Sequence, residues 1–115
     1  MIMLKIILKE NNWLDRKYLD FGWGNGYVII PKDHKSFDMD LDMLAVHGGV
    51  TFNKVLTDED IKYYEYLDDK AIGSRIIGFD TCHLSDTLKK WPKTKVFKEA
   101  KELRTEIDKL VKETE

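Results

Sequence analysis

The sequence predicts a single α+β domain in which a mainly antiparallel sheet carries a C-terminal amphipathic helix packed on one face. Three observations carry that prediction. Up to about Cys82 the apolar runs are short, rich in β-branched residues and broken by Gly, Asn and Pro, the pattern of strands. After Trp91-Pro92 the period changes: Val96, Ala100, Leu103, Ile107 and Leu110 recur at alternating spacings of four and three, with Lys and Glu filling the rest, which makes one stripe of a helix. A chain of 115 residues holds one hydrophobic core and gives no reason to seek a second domain. Residues 1–115 therefore read as one unit, sheet-rich over 1–82 and helical over 85–113, with no internal repeat or low-complexity tract.

The elements follow in order. Strands are expected at Met3–Leu8, Gly26–Ile30, Gly49–Leu56 and Arg75–Asp80. Gly22-Trp-Gly-Asn-Gly26 reads as a turn whose residues tolerate positive φ and whose backbone can approach a ligand closely. Thr57 caps a helix with acids in its first turn, leading into Ile61–Leu67, and Asp68–Gly73 closes it as an exposed loop. Ser85 is expected to cap a short helical turn over Asp86–Lys90. The final helix, near 94–112, is expected to cover the sheet; its stripe also suits a homo-oligomeric interface, although two heptads are too few for a coiled coil.

Composition excludes several functions. Nineteen basic and 21 acidic residues give a net charge of −2, without the basic field that duplex nucleic acid requires. Hydrophobic residues at 43% place the chain well outside the disordered regime. The single cysteine, Cys82, precludes an internal disulfide and fits the reducing cytoplasm. The apolar start is too short for a signal peptide, and no run approaches the ~18 to 20 apolar residues of a membrane span.

The chemistry concentrates in short segments. In His47-Gly48-Gly49 the glycines leave backbone N–H groups unshielded, a setting for an anionic oxygen that His47 would reinforce; Thr51 follows in the same segment. The competing reading makes Gly48 and Gly49 a bulge with His47 satisfying a carbonyl. Asp80, His83 and Asp86 form an Asp-x-x-His-x-x-Asp series, suited to two or three metal ligands or to a histidine held in one tautomer for acid–base work. Against that stands simple helix initiation at Ser85-Asp86. Cys82 is expected in the core, since neighbours on a strand face opposite ways. Asp38, Asp40 and Asp42 lack the glycine and terminal glutamate of a calcium loop and read as a solvated edge, with Met39, Leu41 and Met43 inward. Among the tryptophans Trp13, Trp23 and Trp91, the last suits a core anchor, whereas Trp23 on its glycine turn offers a ring for base stacking. His34, His47, Asp80 and His83 are expected to share one cleft.

Gly26-Tyr-Val-Ile-Ile-Pro31 followed by Asp33-His34, then Val46-His-Gly-Gly-Val-Thr-Phe52, then Ile77-Gly-Phe-Asp-Thr-Cys-His83 with Asp86, resembles the signature of a family of small, mostly phage-encoded proteins. That signature reads G-Y-V-x-x-P-x-x-H, V-H-G-G-L-T-F/Y and G-F-D-x-x-H-x-x-D, and the likeness covers residues 26–86 in matching order. Two departures bear on ligand choice: Lys35-Ser-Phe-Asp-Met-Asp40 replaces the usual loop after the first histidine, and Leu84-Ser85 replaces the small residue after the last one. The family brings no settled activity. The resemblance implies a phage protein acting in the host cytoplasm, and hence a reading as an anti-defence protein that sequesters a nucleotide second messenger without a cofactor. His47 with Gly48 and Gly49 would take the phosphate, Trp23 or Tyr27 the base, and Asp80 a ribose hydroxyl, within a ligand set that also includes His34, Thr51, His83 and Asp86. The alternatives are a phosphodiesterase in which His47, Asp80 and His83 activate water, and a module that binds a host or virion protein through its helical tail.

Overall fold

The computed structural model describes residues 3–12, 15–17 and 19–114. Trp13 lies outside the described residues. Four strands, β1 (Lys5–Glu10), β2 (Gly24–Ile30), β3 (Phe52–Val55) and β4 (Arg75–Phe79), form one antiparallel sheet in the order β1-β2-β4-β3. Each expected strand segment thus supplies one strand. Leu8 pairs with Gly26, Gly26 with Phe79, Ile30 with Arg75, and Phe52 with Gly78.

Alternation along the central strands divides the apolar residues between two faces. Val28 and Ile30 of β2, with Ile77 and Phe79 of β4, join the core under the long helix α2 (Lys93–Glu113). The predicted stripe lies inside: Val96, Ala100, Leu103 and Ile107 are all fully buried, and each of the larger three stabilises the fold by about 1.5–3 kcal/mol. Arg104 adds a polar tie, donating to the carbonyl of Leu4 at 3.0 Å.

Tyr27, Ile29 and Ile76 point the other way, into a second core with Leu56, Leu67 and Ala71. This face is covered by α1 (Asp58–Tyr63) and a 3-10 turn at Asp69–Ala71. Thr57 caps α1 as expected, in a reciprocal capping box with Asp60. The helix stops four residues short of Leu67. Tyr64 turns extended, which lets the rings of Tyr64 and Tyr66 reach Phe52 and Tyr27, at centroid separations of 5.5 and 5.4 Å.

Three other local expectations are corrected. The glycine segment is not a free turn, because β2 begins at Gly24; a side chain at Gly24 would overlap the Lys9 carbonyl, so the residue serves close strand approach instead. Asp38, Asp40 and Asp42 are exposed and Leu41 is buried as expected, but the segment is a series of turns with Met43 outside. Arg75 holds that segment down by donating to the carbonyls of Phe37 and Met39. No helix forms at Asp86–Lys90; Leu88–Lys90 is a single turn in which Thr87 accepts the Lys90 N–H on its hydroxyl and the Trp91 N–H on its carbonyl, while the Asp86 carboxylate is directed to the two histidines described next.

Candidate functional site

Two loops meet at the end of the sheet where β4 runs out. After Phe79 the Asp80 carboxylate accepts the Cys82 N–H at 3.1 Å, turning the chain. Thr81, fully buried, fixes that turn to β2 by donating its hydroxyl to the Gly24 carbonyl at 2.7 Å. His83 and Asp86 follow, closed by the Asp86 N–H to the His83 carbonyl at 2.9 Å. The second loop is a tight turn in which the Gly49 N–H reaches the Val46 carbonyl at 2.8 Å. Gly48 and Gly49 take φ of 70° and 82°, backbone that side-chain-bearing residues rarely adopt. A Cβ on Gly48 would also overlap the His83 ring, so this glycine is what lets the two loops touch.

The result is one buried carboxylate shared by two histidines. Asp86 Oδ1 lies 2.8 Å from His47 Nε2, and Oδ2 accepts from His83 Nδ1 and from the His83 backbone N–H, both at 2.9 Å. The Asp86 side chain is 2% exposed, against 25% for His47 and 38% for His83. Asp80 stands behind His83, with Oδ1 at 3.6 Å from Nε2. Burial alone would push the Asp86 carboxyl up, but the His83 backbone and side-chain bonds and the His47 bond together hold it below the usual carboxylate range.

Helix α2 positions His47. Glu99 accepts the His47 backbone N–H at 2.7 Å, and the imidazole lies on Trp91 with ring centroids 4.0 Å apart. The Glu99 carboxyl is pushed up by its own burial, in part against the His47 bond that lowers it, and further by neighbouring Glu102. Beside His83 opens a cleft of about 280 Å³ lined by Leu19, Asp20, Phe21, Cys82, His83 and Leu84. Its walls are mainly apolar, and its polar groups are His83, Cys82 and Asp20, whose carboxylate accepts the Leu88 N–H at 3.0 Å.

Four residues read from the sequence, His47, Asp80, His83 and Asp86, therefore come together. Others do not. His34 follows β2 at the opposite end, beyond the Ile30–Arg75 pair, where its Nδ1 lies 2.7 Å from the Ser36 hydroxyl. Tyr27 faces the second core, buried and stacked on Tyr66. Trp23 is half-buried against the helix-side core, with the Lys93 ammonium 5.4 Å from its ring. Thr51 is exposed, and its backbone N–H is taken by the Gly78 carbonyl at 3.0 Å. One of the two anticipated Gly-Gly donors is occupied as well, since Gly49 closes its own turn. Cys82, expected in the core, is exposed, because strand alternation ends at Phe79 and Thr81 takes the inward place. Partial desolvation, then the carboxylates of Asp80 and Asp86, push its thiol up, which disfavours the thiolate a nucleophile needs.

Glu99, Trp91 and the Leu19–Phe21 wall complete the site without any local signature. Glu99 sits one position before Ala100 on the buried stripe, so its place at the helix margin was readable, but its partner was not. No helix among the described residues is long and apolar enough to cross a membrane. Family models, curated proteins and solved structures yield no match to the chain.

Proposed function

We propose that this protein binds a small phosphate-containing ligand at the His47–Asp86–His83 cluster and sequesters it, the ligand being a nucleotide second messenger such as a cyclic nucleotide or an ADP-ribose derivative. The observation that carries the reading is the cleft beside His83, which joins an apolar wall to a histidine held by a buried carboxylate. Such a combination suits a ligand with a planar or apolar part and an anionic end. Leu19 and Leu84, both exposed, would offer an apolar surface in place of the rings of Trp23 and Tyr27, which are engaged in the two cores. The class of ligand comes from the resemblance to phage-encoded proteins. A protein-binding tail is less well supported, because the apolar stripe of α2 is used by its own sheet.

A second reading, hydrolysis of the same ligand, is favoured by one specific feature. Asp86 orients both imidazoles, as a carboxylate does in an acid–base pair, and Asp80 adds a second carboxylate at His83. One experiment separates the readings: calorimetry with cyclic dinucleotides, cyclic trinucleotides and ADP-ribose derivatives, followed by chromatography of the mixture. Heat with intact ligand supports sequestration, and heat with breakdown transfers the function to His47, Asp80 and His83 as an enzyme. No heat with any of them removes both.

A further inference from the structure

We propose that His47 Nε2, His83 Nδ1 and one carboxylate oxygen of Asp86 form a binding site for a divalent first-row transition ion of the zinc type, with Asp80 as a positioning residue behind His83. One donor atom from each of the three residues lies within 4.8 Å of the others; Asp86 Oδ1 is already 2.8 Å from His47 Nε2, and Oδ2 is 2.9 Å from His83 Nδ1. A tetrahedral zinc with bonds of about 2.0–2.1 Å separates its ligand atoms by roughly 3.3 Å. Each oxygen–nitrogen pair reaches that spacing by opening about half an ångström, and rotation of the two imidazoles brings both nitrogens to one oxygen around the ion. Two imidazoles and one carboxylate are also the donor types that such ions prefer over calcium or magnesium.

The surroundings add what a ligand set needs. In the metal-free chain His83 Nδ1 donates to Asp86; taking the ion moves the His83 proton to Nε2, which faces Asp80 Oδ1 at 3.6 Å, and frees a lone pair at Nδ1. A slight ring rotation closes this gap into the carboxylate–histidine–metal relay that fixes tautomer and orientation at metal centres. The frame is set in advance: Asp86 is 2% exposed and held by the His83 backbone, while Glu99 and Trp91 immobilise His47. Three protein ligands leave a fourth position, reached from the solvent side where His83 is exposed, for water or an anionic oxygen. The inference does not depend on the nucleotide reading, which would simply place a phosphate oxygen at that position.

The test uses the chelator-treated full chain and zinc alone, with no nucleotide present, so that its failure leaves the calorimetric test of ligand binding untouched. One ion per chain is expected, with the side-chain nitrogen resonances of His47 and His83 shifting and those of His34 unmoved. His47→Ala and His83→Ala should abolish binding, His34→Ala should retain it, and Asp80→Asn should weaken it about tenfold to hundredfold. Cobalt in place of zinc should give the visible bands of a four-coordinate centre. Absence of binding, binding unchanged in His47→Ala, or a response at His34 would each overturn the proposal. The resonances of the unsubstituted chain decide the matter even where a variant fails to fold.

Discussion

The two ends of β2 carry histidines in similar sequence settings, yet they hold them in different ways. At one end His34 bonds to Ser36, two residues along, within a single turn. At the other, His47 meets Asp86 across 39 residues, and His83 shares the same carboxylate. The first contact can form wherever its loop folds. The second exists only once two loops and a helix have been assembled, so its geometry carries free energy from the whole domain. A polar residue on a glycine-marked loop acquires a fixed, partly buried setting through such long-range commitment, not through its neighbours in sequence.

This comparison is most severely tested by removing the shared carboxylate. Asp86→Ala should cost about 3 kcal/mol in unfolding free energy, because two histidines lose their buried partner. Ser36→Ala at the other end should cost about 1 kcal/mol or less, the ordinary worth of one neutral hydrogen bond. Denaturant melts of the two variants give the difference directly, and equal losses would erase the distinction between the ends.

A smaller effect is expected within the turn that joins the loops. Gly48→Ala should cost about 2 kcal/mol, combining left-handed backbone with displacement of the His83 ring, and Gly49→Ala about 1 kcal/mol from the backbone alone. The two glycines share positive φ, but nothing lies near a Cβ at Gly49. Similar losses at both positions would show that contact with His83 is not what the Gly48 position demands.

Acid should affect the two ends differently, more weakly still, because only one proton is involved. Asp86 has its folded-state carboxyl held below the ordinary range, so its contribution is fully present above an unfolded value of about 3.9 and is lost as pH falls through the folded value. The stability gap between wild type and Asp86→Asn should therefore narrow as pH falls from about 5 to about 2. A constant gap would mean that Asp86 is not the ionised partner. The smallest change is expected for His34→Ala, under about 1 kcal/mol, with ligand and metal binding intact.

Much of the fold was legible because it is periodic. The stripe from Val96 to Ile107 and the four β-branched runs each declare their own conformation. The site was legible in part: His47, Asp80, His83 and Asp86 stood out by residue type and spacing. Their arrangement did not, since Ser85-Asp86 carries the same local signal as a helix cap, and only a partner 39 residues away decides against it. Tyr27 illustrates a second limit. Alternation separates it from Val28, but nothing local states which face α2 will cover. His34 illustrates a third, because a loop signature does not reveal which end of a strand its chain will revisit.

The hydrogen bond from Arg104 to Leu4 spans 100 positions, and it bears on the order of events during synthesis. β1, β2 and β4 all precede α2 in the chain, so their shared apolar face waits uncovered until the helix arrives. Glu99 comes with that helix, and His47 gains its backbone anchor only then. A nascent chain halted before α2 thus presents an unfinished hydrophobic sheet together with an unfinished site. The same late step that covers the apolar face also gives His47 its anchor.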